Sequence, residues 1–226
     1  MATVLLVRHG RTPANVQGVL AGWSPGVSLD EVGRQQAEGL SERLSGVRLD
    51  AIVTSPLERA RETAEALSRG QRISSGLQVD DRMGECHYGA WTGRALKDLA
   101  KDPLWKVVQG HASAVSFPDG ESMLGMQARA VEGVRDWNAR LGDKAVFAVV
   151  SHGDVIKAVV ADALGMHLDD FQRIVIDPCS VSVIRYTPVR PFVLRMNDTS
   201  GDLGFLARKR SRRSSDAAVG GGSGEA

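Results

Sequence analysis

Apolar residues come in two alternating patterns along this chain. Short unbroken runs stand in "TVLLV" near the start, in "LDAIVTS", and in "KAVFAVVSH". Runs of that length without polar alternation predict strands buried on both faces, as in parallel sheets. Between them, apolar positions recur every three or four residues, the spacing of amphipathic helices. Asp30 is the expected cap of one helix, with Ala37, Leu40 and Leu44 on its inner face. A second helix is expected in "SPLERARETAEALSRG", with Ser55 as cap, Pro56 as first residue and Glu58 completing a capping box. Leu57, Ala60, Ala64 and Leu67 would line its inner face, and Gly70 would end it.

Residues 121–141 place Met123, Met126, Ala130, Val134, Trp137 and Leu141 at helical spacing, a stripe suited to core packing. After the third strand, Ile156, Val159, Val160, Ala163 and Leu164 mark another helix that stops at Gly165. "SVSVIRY" and "PFVLRMN" predict two further strands in a hairpin, the first at an edge (near residues 180–186) where two copies could pair into a homodimer. Strand and helix alternation of this kind predicts an α/β fold: a three-layer sandwich, mainly parallel sheet with helices on both faces.

At 226 residues the chain has ample material for a core. Residues 1–204 are expected to form one domain. Residues 205–226 read as a basic, then Gly/Ser-rich, disordered tail. From Gly201 onward five basic and three acidic residues leave residues 1–200 at −1 of the overall +1. A nearly neutral body argues against nucleic acid as a partner. No apolar run approaches the roughly 20 residues that span a bilayer, and the first residues lack a basic leader, so neither membrane attachment nor export is expected. Cys86 and Cys179 are expected to be free thiols in a reducing cytoplasm. No GxGxxG or GxxxxGK[ST] loop is present, and no cofactor is expected.

Candidate chemistry gathers where strands end. The first ends in Arg8-His9-Gly10, the second in Ser55-Pro56 ahead of Arg59, and the third in Ser151-His152-Gly153. In an open parallel sheet these carboxyl ends share one crevice. Two arginines and two histidines, beside helix N-termini, suit a phosphoryl group: the guanidinium fork matches its oxygens two at a time. Each residue alone has a plainer explanation, as a strand end, an exposed helix arginine or a cap; their common placement favours a site. His9, His152 and Asp154 lack metal-ligand spacing, so no metal is expected.

"LVRHGRTPAN" resembles the R-H-G-x-T-x-x-N signature of the histidine phosphatase superfamily, the phosphoglycerate mutase-like proteins. "SPLERARETA", "RMGECHYGAWTGR", "VVSHG" and "LRMNDTSGDL" resemble its further motifs, in order, across about residues 3–204. The resemblance implies that His9 is the nucleophile. Arg8, Arg59 and His152 would hold the phosphoryl oxygens, with Thr12, Asn15 and Gly153 beside them. Glu85 would be the general acid and then the base. It further implies a small phosphate ester as substrate and a metal-independent phosphatase working through phosphohistidine.

Two alternatives stand beside that reading. One is a phosphoglycerate-type mutase on the same residues; the resemblance implies a longer insertion there than residues 94–120 supply. The other is a non-catalytic phospho-ligand-binding module, disfavoured because His9, Glu85 and His152 are all present. Residues 94–120 are expected to roof the pocket; Leu104, Trp105, Val108 and Phe117 could form a wall there and Lys97, Lys101 and Lys106 could read acidic substrates, but core packing and solvation are the stronger readings of these residues. His87, His111 and His167 are expected to pack or sit at the surface, and Cys86 to be inert.

Overall fold

The computed structural model describes residues 2–71, 73, 76–201 and 203–206. Six strands, β1 (Thr3–Arg8), β2 (Ala51–Thr54), β3 (Leu77–Val79), β4 (Val146–Ser151), β5 (Val181–Arg185) and β6 (Phe192–Asp198), form one sheet in the order β3-β2-β4-β1-β5-β6. The first four are mutually parallel; β5 pairs antiparallel with β1, and β6 antiparallel with β5, so that β5 alone of these six runs against the rest. The helices are α1 (Pro13–Gln17), α2 (Glu31–Arg43), α3 (Glu58–Arg69), α4 (Leu96–Leu99), α5 (Pro103–Gly110), α6 (Met123–Leu141) and α7 (Gly153–Leu164).

Strand pleating splits the apolar runs between two cores. Val4, Leu6, Val53, Phe147 and Val149 face a core shared with α6 and α7. Leu5, Val7, Ile52, Ala148 and Val150 face the opposite core, shared with α2 and α3. Successive side chains of a strand point to opposite faces, so an unbroken apolar run is what a sheet covered twice requires. Burying each large aliphatic or aromatic side chain contributes about 1.5–3 kcal/mol. Helix α2 comes close to the loop after β1: a Cβ on Gly10 would lie 2.5 Å from the Gly33 carbonyl oxygen.

Several expectations need correction. Ser55 does not cap α3, which begins three residues later with Leu57 at the cap position and no side-chain cap. The Ser55 hydroxyl instead accepts the Leu57 N–H at 3.2 Å, and Glu58 accepts the Gly26 N–H instead of closing a capping box. Leu57 is extended, with φ −76° and ψ 140°, so the first helical residue is Glu58. The strand at 181–185 is not an edge, because β6 covers its outer side. Among the strands and α-helices of the described residues four were unforeseen: β3 is only three residues long, α1 and α4 are too short for a periodic signal, and α5 lies in the segment read only as a roof. Gly204–Leu206 form a 3-10 turn, and the remainder of the expected tail lies outside the described residues.

Candidate active site

Strand register brings the candidate residues together. Arg8 on β1 pairs with Ser151 on β4, and the His9 N–H donates to the Ser151 carbonyl at 3.0 Å. On the other side of β4 the Ser55 N–H donates to the Val150 carbonyl at 2.9 Å. Three strand ends, distant in sequence, thus finish level and adjacent. Arg8, His9, Thr12, Asn15, Arg59, Glu85 and Gly153 all line one cavity of about 320 Å³.

His9 is 3% exposed, and its Nδ1 lies 2.7 Å from the Gly10 carbonyl oxygen. A carbonyl can only accept, so Nδ1 carries the proton and the Nε2 lone pair is open. Burial first, then the charges of Arg59 and Arg8, hold this imidazole well below the usual histidine range. The ring is therefore neutral at physiological pH.

The two guanidiniums are anchored at one end and open at the other. Arg8 Nη1 donates to the Ile176 carbonyl at 2.6 Å, and Arg59 Nη2 to the Gly22 carbonyl at 2.8 Å. Among the described residues, Arg8 Nε and Arg59 Nη1 are buried without a hydrogen-bond partner. Thr12 and Asn15 form the capping box of α1, in which Asn15 Oδ1 accepts both the Thr12 N–H and hydroxyl at 3.0 Å. His152 stands behind the cavity lining, fully buried, its ring centroid 5.1 Å from that of His9. Its Nε2 meets the Ser55 hydroxyl at 2.7 Å, while Nδ1 has no hydrogen-bond partner and lies 3.9 Å from Glu85 Oε2. Burial first, then Arg59, keeps this ring neutral as well.

Glu85 has the opposite perturbation. Burial, then the Asp154 charge, pushes its carboxyl up to about 7. A carboxyl in that range can release or take a proton near neutrality. The cavity therefore holds an unprotonated ring nitrogen, two fixed cations and a proton donor. Among the described residues no group of three or more His, Cys, Asp or Glu side chains is gathered as a metal site.

Residues 4–199 match the histidine phosphatase superfamily (branch 1). The chain belongs to that superfamily. It is 30% identical over 204 residues to phosphoserine phosphatase 1 of Hydrogenobacter thermophilus, covering 88% of this chain and 93% of the relative. It is 29% identical over 211 residues to the "Probable phosphoglycerate mutase GpmB" of Erwinia tasmaniensis, covering 91% and 95%. The solved structure of Bacillus stearothermophilus YhfR aligns at a TM-score of 0.80 and 32% identity, over 88% of this chain and 98% of that one. The chain is an enzyme that acts on phosphate esters.

Within this histidine phosphatase, several residues at the site escaped sequence reasoning. Arg129 on α6 donates to the carbonyls of Arg82, Gly84 and Glu85 at 2.7, 2.9 and 3.0 Å. It also grips Glu121 at 2.6 and 3.0 Å, and Glu121 accepts the His87 N–H. Trp23 Nε1 gives the Glu85 carbonyl a second donor at 2.6 Å, and the His87 ring stacks on Trp23 at 4.2 Å. The acid-bearing loop is thus clamped from two sides. Glu121 and Arg129, eight residues apart, were the available sequence signal, but nothing in it points to three carbonyls.

The roof departs in part from expectation. Leu96, Trp105, Val108, Gln109 and Phe117 line the cavity, whereas Leu104 packs into the core. Lys97, Lys101 and Lys106 are exposed, as solvated lysines should be, and are not among the cavity's lining residues; among the described residues the lysine that lines it is Lys157 on α7. Its signal was readable, since it lies four residues, one helical turn, past Gly153. His111 and His167 flank Asp169 outside the cavity lining. Cys86 and Cys179 are buried free thiols, and burial raises the thiol pKa of each. Among the described residues no helix is long and apolar enough to cross a membrane.

Proposed function

We propose that the chain hydrolyses small phosphate monoesters through a phosphohistidine at His9, without a metal. The observation that carries this reading is the His9 tautomer: Nδ1–H held on the Gly10 carbonyl leaves Nε2 as a nucleophile at the cavity shared with two arginines. In the first step Nε2 bonds to phosphorus and the ester P–O bond breaks. The departing oxygen takes the Glu85 proton. In the second step water attacks phosphorus, Glu85 takes its proton, and the P–N bond breaks to free phosphate and restore the imidazole. Charge building on the phosphoryl oxygens meets Arg8 and Arg59, already fixed in place, so little reorganisation is needed as the reaction proceeds. His152 backs this cradle, its unpartnered Nδ1 able to donate to an oxygen while Nε2 accepts from Ser55.

Rapid quenching with labelled nitrophenyl phosphate tests the reading. Acid-labile, base-stable phosphate should appear on His9 and vanish in His9→Ala, and EDTA should leave turnover intact. Acid-stable label, or turnover lost to EDTA and restored by a divalent ion, would refute it. Against a mutase, the wild type should release phosphate from 3-phosphoglycerate faster than it isomerises it.

A further inference from the structure

The far side of the cavity has a hydrogen-bonding balance of its own. Lys157 donates to Asp154 Oδ1 at 3.4 Å and to Gln172 Oε1 at 3.0 Å, with its ammonium 5.6 Å from the Phe171 ring centroid. The other Asp154 oxygen accepts the Tyr88 hydroxyl at 2.8 Å. An ammonium has three donors and no acceptor, so Gln172 must give it the carbonyl oxygen and keep its NH2 group for something else. Both Asp154 oxygens and the Gln172 oxygen are thus engaged. Among the described residues, what stays open is one Lys157 N–H and the two Gln172 N–H groups.

Lys157, Asp154 and Gln172 all line the cavity, and among the described residues Lys157 is the one lysine or arginine that lines it besides Arg8 and Arg59. Its side chain is only 19% exposed. A largely buried ammonium beside a free amide NH2 calls for an acceptor with two oxygens and a negative charge. A neutral hydroxyl would meet one donor and leave the rest unmatched. A second phosphate would bring two charges to one cation that Asp154 already partly offsets.

We infer that the substrate carries a carboxylate on its leaving group, read by Lys157 and Gln172. The inference rests on the hydrolytic reading above and narrows it to phosphate esters of small hydroxy acids. Lys157 and Gln172 then set specificity, while the phosphoryl group is held elsewhere.

Matched esters test it. 3-Phosphoglycerate and glycerol 3-phosphate differ only in a carboxylate against a hydroxymethyl group; phosphoserine and phosphoethanolamine differ by a carboxylate against hydrogen. Phosphate release should favour the carboxylate member of each pair by about tenfold to a hundredfold in kcat/KM, the range for a charge-assisted hydrogen bond. Lys157→Met and Gln172→Glu should each collapse that ratio towards unity, while melting temperature checks the fold. No preference in a wild type that hydrolyses nitrophenyl phosphate would overturn the inference and leave the hydrolase reading standing. An unchanged ratio in Lys157→Met would reduce the Lys157–Asp154 pair to a structural contact and overturn it too. If no ester is hydrolysed, the hydrolytic reading fails. Calorimetric binding then decides, and equal affinity for 3-phosphoglycerate and glycerol 3-phosphate counts against carboxylate recognition.

Discussion

Replacing Glu85 by Gln removes one ionisable group while an amide oxygen can still accept the Cys86 N–H that Oε1 now accepts at 3.0 Å. Burial and the Asp154 charge raise the carboxyl from 4.5 to about 7. A shift of that size corresponds to about 3 kcal/mol between the two protonation states. In the window between those values the folded chain keeps a proton that the unfolded chain has released. The contribution to stability is therefore full below the unfolded pKa and is lost as pH rises through the folded one. The Gln variant has no such loss. Its stability relative to wild type, from urea unfolding, should rise by about 2–3 kcal/mol between about pH 5 and about pH 8. His9 and His152 have depressed pKa values and lose stability in the other direction, as pH falls, but both proteins contain them and the difference largely removes their effect. Kinetics supply a second arm. If Glu85 protonates the leaving oxygen, the variant should slow alkyl esters by about 10²–10⁴-fold. Phosphorylation by a nitrophenyl ester should slow far less, and phosphoenzyme should accumulate because water is no longer activated. A stability difference flat with pH would refute the buried-carboxyl argument, and equal slowing of both esters would remove Glu85 from the acid role.

Two other perturbations probe the scaffold. Arg129→Met removes the side-chain donor to the Arg82 and Gly84 carbonyls, leaves the Glu85 carbonyl to Trp23 alone and takes the cation from Glu121, and should cost about 2–4 kcal/mol, between surface and buried ion pairs. It should also lower alkyl-ester turnover more than nitrophenyl turnover, because Glu85 loses its clamp; equal loss on both would make the clamp merely structural. Gly33→Ala drives a Cβ into the Arg11 carbonyl oxygen beside the His9 loop, and should destabilise by about 1–3 kcal/mol in thermal or urea unfolding, with an unchanged midpoint as the contrary result.

Much of this enzyme is legible along the chain, because the interactions behind it are short in range. Unbroken apolar runs mark β1, β2 and β4, since a strand covered twice needs apolar residues on both faces. Arg8-His9-Gly10 and Ser151-His152-Gly153 follow such strands directly, so their place at one crevice is readable once the sheet is parallel. Tertiary structure decided the rest. Ser55 looks like a helix cap until β4 places His152 against its hydroxyl, a contact 97 residues away in sequence. Residues 181–185 look like an edge until β6 folds back over them. Arg129 holds the Glu85 loop from 44 residues away. Sequence reasoning did not single out Lys157 on α7, which lines the cavity because α7 starts at the end of β4. Proton positions are decided last: His9 is neutral and Glu85 titrates at about 7 because burial removes water from both, and burial exists only after the layers close.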